Sequence, residues 1–379
     1  MKNIIAYALL AMLSLATNCA NEPVALVSVT NITELSRENE TVEIPWSEIA
    51  ALFDGVAAGE IIVADSNGTE IPSQVIYRGG NEPVALLFQA STAPGESASY
   101  AIRPGKPAAY LPRVHGRLVP ERYDDFAWEN ERVAYRVYGP ALEATGEISN
   151  GIDAWVKSAH GLLVDKWYAS GDYHRDHGEG LDCYKVGRTL GAGAMAPLAD
   201  SAFVLGNNFT SARVLDQGPL RVTFELAYAP FAVGENVVTE RRVISLDADA
   251  ILNRVEEYYE NAPGMEVAAG IVLREGAGIV WKDAANGVIA YWEPLNNDNN
   301  EDNGHTAVAV IFPGEMKETR QVAKHLAGIA DYSPGEVFTY LAGAGWSKGG
   351  FATPGDWHEH VTGELMKIKF PLEVTIKKK

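Results

Sequence analysis

The chain has 379 residues, with 50 acidic against 31 basic side chains for a formal charge of −19, two cysteines, 36 glycines and 47% apolar composition. This excludes a globally basic nucleic-acid binder, because releasing counterions from phosphate requires a cationic face. It also excludes a disulfide scaffold, since two cysteines 164 positions apart cannot staple a chain this long. At about 150 residues per domain, the length fits two domains, or one small domain and a large β-architecture.

Lys2 precedes an apolar run from Ile4 to Ala16, which is shorter than the roughly 20 residues of a membrane-spanning helix. Residues 1–18 therefore read as an export signal. Cys19 follows just behind the apolar core and ahead of polar Asn21 and Glu22, resembling a bacterial lipoprotein cleavage site with Cys19 as the first, lipidated, mature residue. Thr17 and Asn18 depart from the usual small residues, and a plain secretory peptide cut after Ala16 is the alternative. The expectation is an exported protein, periplasmic or held at the outer membrane, whose only membrane contact is an N-terminal lipid anchor. Cys183 is then the one remaining thiol and reads as a packed small residue.

From Val24 to Pro107, short apolar runs such as Ile61-Ile62-Val63-Ala64 and Val84-Ala85-Leu86-Leu87-Phe88 alternate with breakers such as Ser66-Asn67-Gly68. That spacing predicts a small antiparallel β-domain over residues 19–107, and Pro104, Pro107 and Pro112 mark a linker. Over residues 108–379 the strands lengthen. Val222, Phe224, Leu226 and Tyr228 alternate with Arg221, Thr223, Glu225 and Ala227, while Val237-Val238 and Val243-Ile244 flank polar Thr239-Glu240-Arg241-Arg242. Asn286-Gly287 signals a type I′ hairpin. The one helical candidate spans about Trp357–Met366, with Asp356 as N-cap. The fold class is mainly β, with a large two-sheet sandwich as the second unit.

Three motifs fail on context. Gly191-Ala192-Gly193-Ala194-Met195-Ala196, with Asp216 beyond it, matches a loose dinucleotide fingerprint, but Pro197 and the lack of βαβ alternation favour a glycine-rich turn. Gly345-Trp346-Ser347-Lys348-Gly349 fits a nucleophile elbow with Asp356 and His358 behind it, yet Gly350 and Pro354 oppose the helix that the elbow requires. The run Asn296–Gly304 carries calcium-type oxygen ligands with its glycine one place late, and a solvated hairpin loop is expected.

Chemistry concentrates in Asp172–Arg188, which holds His174, His177, Tyr173, Tyr184, Arg175, Lys185, Arg188 and four carboxylates in 17 residues. Catalytic groups gather on such loops when a rigid scaffold holds them. His174 and His177, spaced i, i+3, could share a divalent metal with His358 or His360. No cofactor is otherwise implied. A second patch, Glu121–Pro140, interleaves Tyr123 and Trp128 with arginines including Arg136; rings stack on apolar sugar faces and guanidinium forks take carboxylates. Trp357 and His358 near the C-terminus offer a further stacking surface.

These stretches also carry a likeness. Tyr123-Asp124-Asp125-Phe126-Ala127-Trp128-Glu129-Asn130 through Arg136-Val137-Tyr138-Gly139-Pro140, Asp172-Tyr173-His174 through Lys185-Val186-Gly187, and Leu190-Gly191-Ala192-Gly193 resemble the exported bacterial family catalogued as domain of unknown function 4861. The resemblance implies a galactose-mutarotase-like β-supersandwich among polysaccharide-degradation genes, in a family that includes a dehydratase acting on a terminal uronic acid of ulvan oligosaccharides. Elimination across C4–C5 of a uronate requires a cation for the carboxylate, a base for the C5 proton and an acid for the departing oxygen. Arg188 or Arg136 would serve as the cation, His174 or His177 as the base, and Tyr184 or Tyr173 as the acid, with Lys185 in support. Arg175, Trp128, Tyr123, Trp357 and His358 would bind the rest of an acidic oligosaccharide. A non-catalytic glycan-binding lipoprotein, or a glycoside hydrolase using a pair among Asp124, Asp125, Glu129, Asp176 and Glu179, are the rival readings. Residues 101–190 carry 12 basic and 13 acidic groups, so the acidity of the chain lies mostly outside this segment.

Overall fold

A computed structural model describes residues 25–274, 278–296 and 302–378. The export segment and Cys19 lie outside these residues, as does part of the Asn296–Gly304 run. The described chain is mainly β.

The first unit packs two antiparallel sheets. One has the order Glu373–Lys378, Ala25–Thr30, Ser97–Pro104, Ile61–Ala64, Glu70–Ile71, and the other Arg37–Pro45, Ala85–Thr92, Ser73–Ile76. Val27, Val29, Ile44, Val63, Phe88 and Ile102 fill the space between them. The last strand pairs with the first, Ala25 opposite Lys378, so the C-terminus returns to this unit and is not part of the sandwich. Residues 105–113 form no helix or strand, consistent with the prolines there.

The second unit is a supersandwich. One layer is a nine-stranded antiparallel sheet that includes Arg221–Tyr228, Asn236–Asp247, Leu252–Glu260 and Phe338–Trp346. The other joins two five-stranded sheets through an Ile152–Gly191 bridge. Val222, Phe224, Leu226 and Tyr228 all point inward, as their alternation predicts. The polar Thr239–Arg242 stretch does not interrupt its strand. It continues through it, and Glu240 and Arg242 point into the core on the same side as Ile244 and Leu246.

Local details correct three expectations. The hairpin at Asn286-Gly287 has a four-residue loop, with a 3₁₀ turn over Ala284–Asn286 and Gly287 at φ 74°. The terminal helix runs Pro354–Lys369 and its N-cap is Thr353, where Asp356 was expected; Asp356 is the reciprocal partner of a capping box, and Pro354 is the first helical residue. Gly191–Ala196 is no turn. It enters strand Ala192–Ala199 through a bulge, and Gly191 is required because a Cβ there would sit 2.1 Å from the Ile152 carbonyl oxygen. Asp216 accepts from Tyr77 N and Arg78 N at 2.6 and 2.8 Å, tying the two units together.

Candidate active site

The site lies on the outer face of the five-stranded sheet built from Val114–Val119, Asp125–Asn130, Val133–Val137, Asp153–Lys157 and Gly180–Leu181. Strand parity turns Phe126 and Trp128 into the sandwich and Asp125, Ala127 and Glu129 outward. Glu129 pairs with buried Lys157 and accepts from Leu163 N and Val164 N at 2.8 and 3.0 Å, holding the start of helix Val164–Ser170 over this face. That helix has no side-chain N-cap of its own, so the strand supplies one. The histidine-rich loop is pinned beside it: Asp182 N donates to Tyr173 O at 2.8 Å, and Ser158 N to Glu179 O at 2.9 Å. Gly180, at φ 128°, allows this approach, since a Cβ would meet Val156 O at 2.0 Å.

Beneath the loop, Arg136 is buried among three carboxylates. Its Nη2 donates to Asp153 Oδ2 at 2.6 Å and Asp182 Oδ2 at 2.9 Å, Asp125 Oδ2 lies 3.9 Å from Nε, and the Tyr138 and Trp155 rings lie 5.0 and 5.1 Å from the guanidinium. Arg136, with Arg122 as a second and weaker cation for Asp125 and Asp182, does not offset three buried carboxylates in a low dielectric. Burial accordingly pushes Asp182 well above the carboxylate range, raises Asp153, and pushes Asp125 up to about 6, with Arg136 opposing in each case. Arg122 Nη1 and Asp153 Oδ1 are also buried without a hydrogen-bond partner among the described residues. Each such group costs about 1–3 kcal/mol, so stability alone does not explain the cluster.

Above it, three side chains meet. Tyr173 stacks on Trp155 at 5.1 Å and 14°, the His174 ring lies 4.4 Å from the Tyr173 ring, and Arg122 Nε donates to the Tyr173 hydroxyl at 3.4 Å. His174 Nδ1 lies 2.9 Å from Asp182 O. A carbonyl only accepts, so Nδ1 carries the proton, and in the neutral ring Nε2 keeps the lone pair. The His174 side chain is 62% exposed.

The remaining sequence candidates separate from this group. Arg136 is enclosed by its own acids and is not free to take a substrate carboxylate. Tyr184 is buried and donates to Gly191 O at 3.2 Å, so it cannot reach a substrate as an acid. Trp128 is 0% exposed, stacked on Tyr135 and bonded to Asn253, and Trp357 is likewise 0% exposed and packed against Phe351; neither offers a face to a sugar. Tyr123 stays exposed at 49% with Arg122 over its ring. His177 bonds exposed Asp172 at 3.0 Å, Arg188 reaches Leu205 O at 3.5 Å, and Lys185 and Arg175 are at the surface. His358 stacks on Trp281, while His360 is half-buried at the opposite side of its helix turn, and burial pushes it down to about 4. Among the described residues no three His, Cys, Asp or Glu side chains converge as a metal site, so His174, His177, His358 and His360 do not form one. Ser347 Oγ accepts from His305 N at 2.8 Å and follows an antiparallel strand, which is no nucleophile elbow. Burial pushes the Cys183 thiol up, as expected for a packed residue.

Sequence reasoning missed Arg122 as a site residue, and Asp153, Trp155 and Tyr168 as its surroundings. Asp125, Ala127 and Glu129 on alternate positions of a strand were the available signal, because charges on one face of a covered strand need partners.

The fold and this site define a large β-supersandwich with a polar centre under a loop on one outer face. An α-mannosidase from Enterococcus faecalis V583 shares that fold, with a TM-score of 0.55 at 9% identity, covering 93% of this chain and 46% of that one. So does a protein in glycosyl hydrolase family 38 from Enterococcus faecalis, with a TM-score of 0.53 at 11% identity over 93% of this chain and 47% of that one. The chain spans about half the length of these structures, and at such identities the likeness is one of fold. By sequence, the chain belongs to the family described as Domain of unknown function (DUF4861), which it matches over residues 29–374. It is 30% identical over 402 residues to "Uncharacterized protein P7" of Formosa agariphila, covering 99% of this chain and 100% of that protein.

Proposed function

We propose that this protein is a carbohydrate-active enzyme that performs β-elimination at a uronic acid of an oligosaccharide, expelling water or a sugar from C4. The observation that carries this reading is the convergence of Arg122, Tyr173 and His174 over the Arg136 cluster. His174 Nε2 takes the C5 proton, the C5–H electron pair becomes the C4–C5 double bond, and the C4–O bond breaks. The Tyr173 hydroxyl gives its proton to the departing oxygen. Arg122 offsets the uronate carboxylate and the charge that builds on it as C5 loses its proton. Asp182 and Arg136 touch no substrate; they hold His174 in the tautomer that leaves Nε2 basic. The likeness to carbohydrate-processing folds supports a sugar substrate, and the expected export signal with Cys19 supports work outside the cytoplasm on a lipid anchor.

Incubation with uronate-terminated oligosaccharides tests the reading, following the ultraviolet absorbance of the conjugated 4,5-unsaturated product and the product mass. Loss of one water marks a dehydratase, chain cleavage with absorbance marks a lyase, and cleavage without absorbance marks the rival hydrolase. Silence across a broad uronate panel overturns the proposal. The rival stacking platform of Trp128, Tyr123 and Trp357 loses two of its three rings to the core.

A further inference from the structure

A cleft of about 790 Å3 opens between strand Arg37–Pro45, the outer face of the nine-stranded sheet and helix Pro354–Lys369. That volume falls within the range of about 300–1,000 Å3 typical of small-molecule sites. The elimination proposed above uses none of its residues. Most charges along it are already neutralised: Arg221 pairs with Asp247 and Glu43, Lys157 with Glu129, Lys367 with Glu364, and Arg254 with Glu256.

Two cations differ. Arg132 donates to the Asp249 carbonyl at 3.2 Å and meets no carboxylate at ion-pair distance among the described residues, because the Asp249 side chain faces Arg113 at 2.6 Å. Lys348 projects into solvent at 45% exposure, 5.4 Å from the Trp346 ring, with its Nζ 3.9 Å from Asp176 Oδ2. Between them runs the Gly349-Gly350 turn. Gly349 admits no side chain, since a Cβ would lie 2.3 Å from Lys157 O, and Gly350 adopts φ 108° with its Cβ position 3.9 Å from Arg132 Nη2. Bare backbone and a guanidinium thus face the same space. His360 Nε2 is buried nearby without a hydrogen-bond partner, and Glu38 stands on the wall formed by the first unit.

We propose that Arg132 and Lys348 form a second subsite in this cleft, which binds an acidic group, a carboxylate or a sulfate ester, on a sugar residue beyond the one that reacts at His174. The cleft and the reacting loop are contiguous, because Lys348 lines the first and reaches Asp176 in the second. The inference rests on the reading of this protein as an enzyme of acidic oligosaccharides, and it adds a length and charge requirement to that substrate.

The test is calorimetric titration of the full-length protein at low salt with hexagalacturonate, sulfated cellohexaose and neutral cellohexaose. An acidic hexamer should bind more tightly than the neutral one, and Arg132→Met with Lys348→Met should weaken it roughly tenfold or more, as expected when charge-assisted contacts are lost. Which acidic hexamer responds identifies the group. Each single substitution keeps the measurement open if the double variant does not fold. His174→Ala should leave the affinity intact, so loss of turnover and loss of cleft binding separate: a protein that binds as described but never eliminates sinks the reaction and keeps the subsite. Equal binding of the neutral hexamer, no binding of either acidic one, or unchanged affinity in the folded variants overturns the subsite.

Discussion

Two buried arginines in this protein solve the same electrostatic problem in different places. Arg242 lies between the layers of the supersandwich. Its Nε donates to Glu257 Oε1 at 2.5 Å, its Nη2 to Glu240 Oε1 at 2.7 Å and across the core to Met195 O at 3.4 Å. Every ionic partner sits on a paired strand, and Tyr228, Tyr259 and Tyr340 close around them, fully buried. Arg136 also has more carboxylates than it can balance, but one of them, Asp182, belongs to a loop, and that same residue holds an exposed histidine through its carbonyl. The first cluster stiffens the junction of two sheets. The second transmits its geometry to a surface where a substrate can arrive.

The comparison breaks most sharply at His174. His174→Ala should lower turnover by about 10²–10⁴-fold, the usual weight of a positioned general base, while stability stays within about 0.5 kcal/mol because the side chain is exposed. Initial rates and a denaturant titration on the same preparation check both halves. Arg242→Met should do the reverse, costing about 3–5 kcal/mol by leaving Glu240 and Glu257 buried without their cation. Urea unfolding reads this directly, and an unchanged midpoint would show that the core cluster has no structural role.

A pH series sharpens the same contrast. Burial pushes Glu257 from 4.5 up to about 8, with Arg242 opposing. The folded state therefore holds a proton that the unfolded state has released, and stability declines as pH rises from about 4.5 to about 8. Asp125 contributes in the same direction, but between 3.8 and about 6. Glu257→Gln should flatten the decline above pH 6 in thermal melts, whereas Asp125→Asn should flatten only its lower part. The smallest difference concerns two tyrosines within the candidate stretch. Tyr184→Phe should cost about 1 kcal/mol for its lost hydrogen bond and leave turnover intact, while Tyr173→Phe should slow elimination with little change in stability; equal rates for both variants would remove Tyr173 as the acid.

Much of the fold was legible because strand parity is a local property. Val222, Phe224, Leu226 and Tyr228 declare one inward face by alternation alone, and the prolines at 107 and 112 mark a segment without regular structure that begins where Ser97–Pro104 ends. Parity alone does not show why charged Glu240 and Arg242 take inward positions: they pair with each other along one strand, and Arg242 pairs with Glu257 on the neighbouring strand. The return of Glu373–Lys378 to Ala25–Thr30 was not visible either, since a pairing between the two ends of a chain leaves no local pattern.

At the site, the residues around Asp172–Arg188 mark themselves by composition: imidazole, phenol and carboxylate crowd a loop that core packing would not choose. By itself the sequence determined that this is an acidic, mainly β chain with a concentrated polar loop. Tertiary structure decided which of those groups act together. Tyr173 and Tyr184 are equivalent in the sequence, yet one rests on Trp155 beside His174 and the other is sealed in the core. Arg122 reaches Tyr173 across 51 residues of chain, and Arg136 is shut away under Asp182. The direction of a side chain follows from its own strand, but what covers that face is set by segments far along the chain.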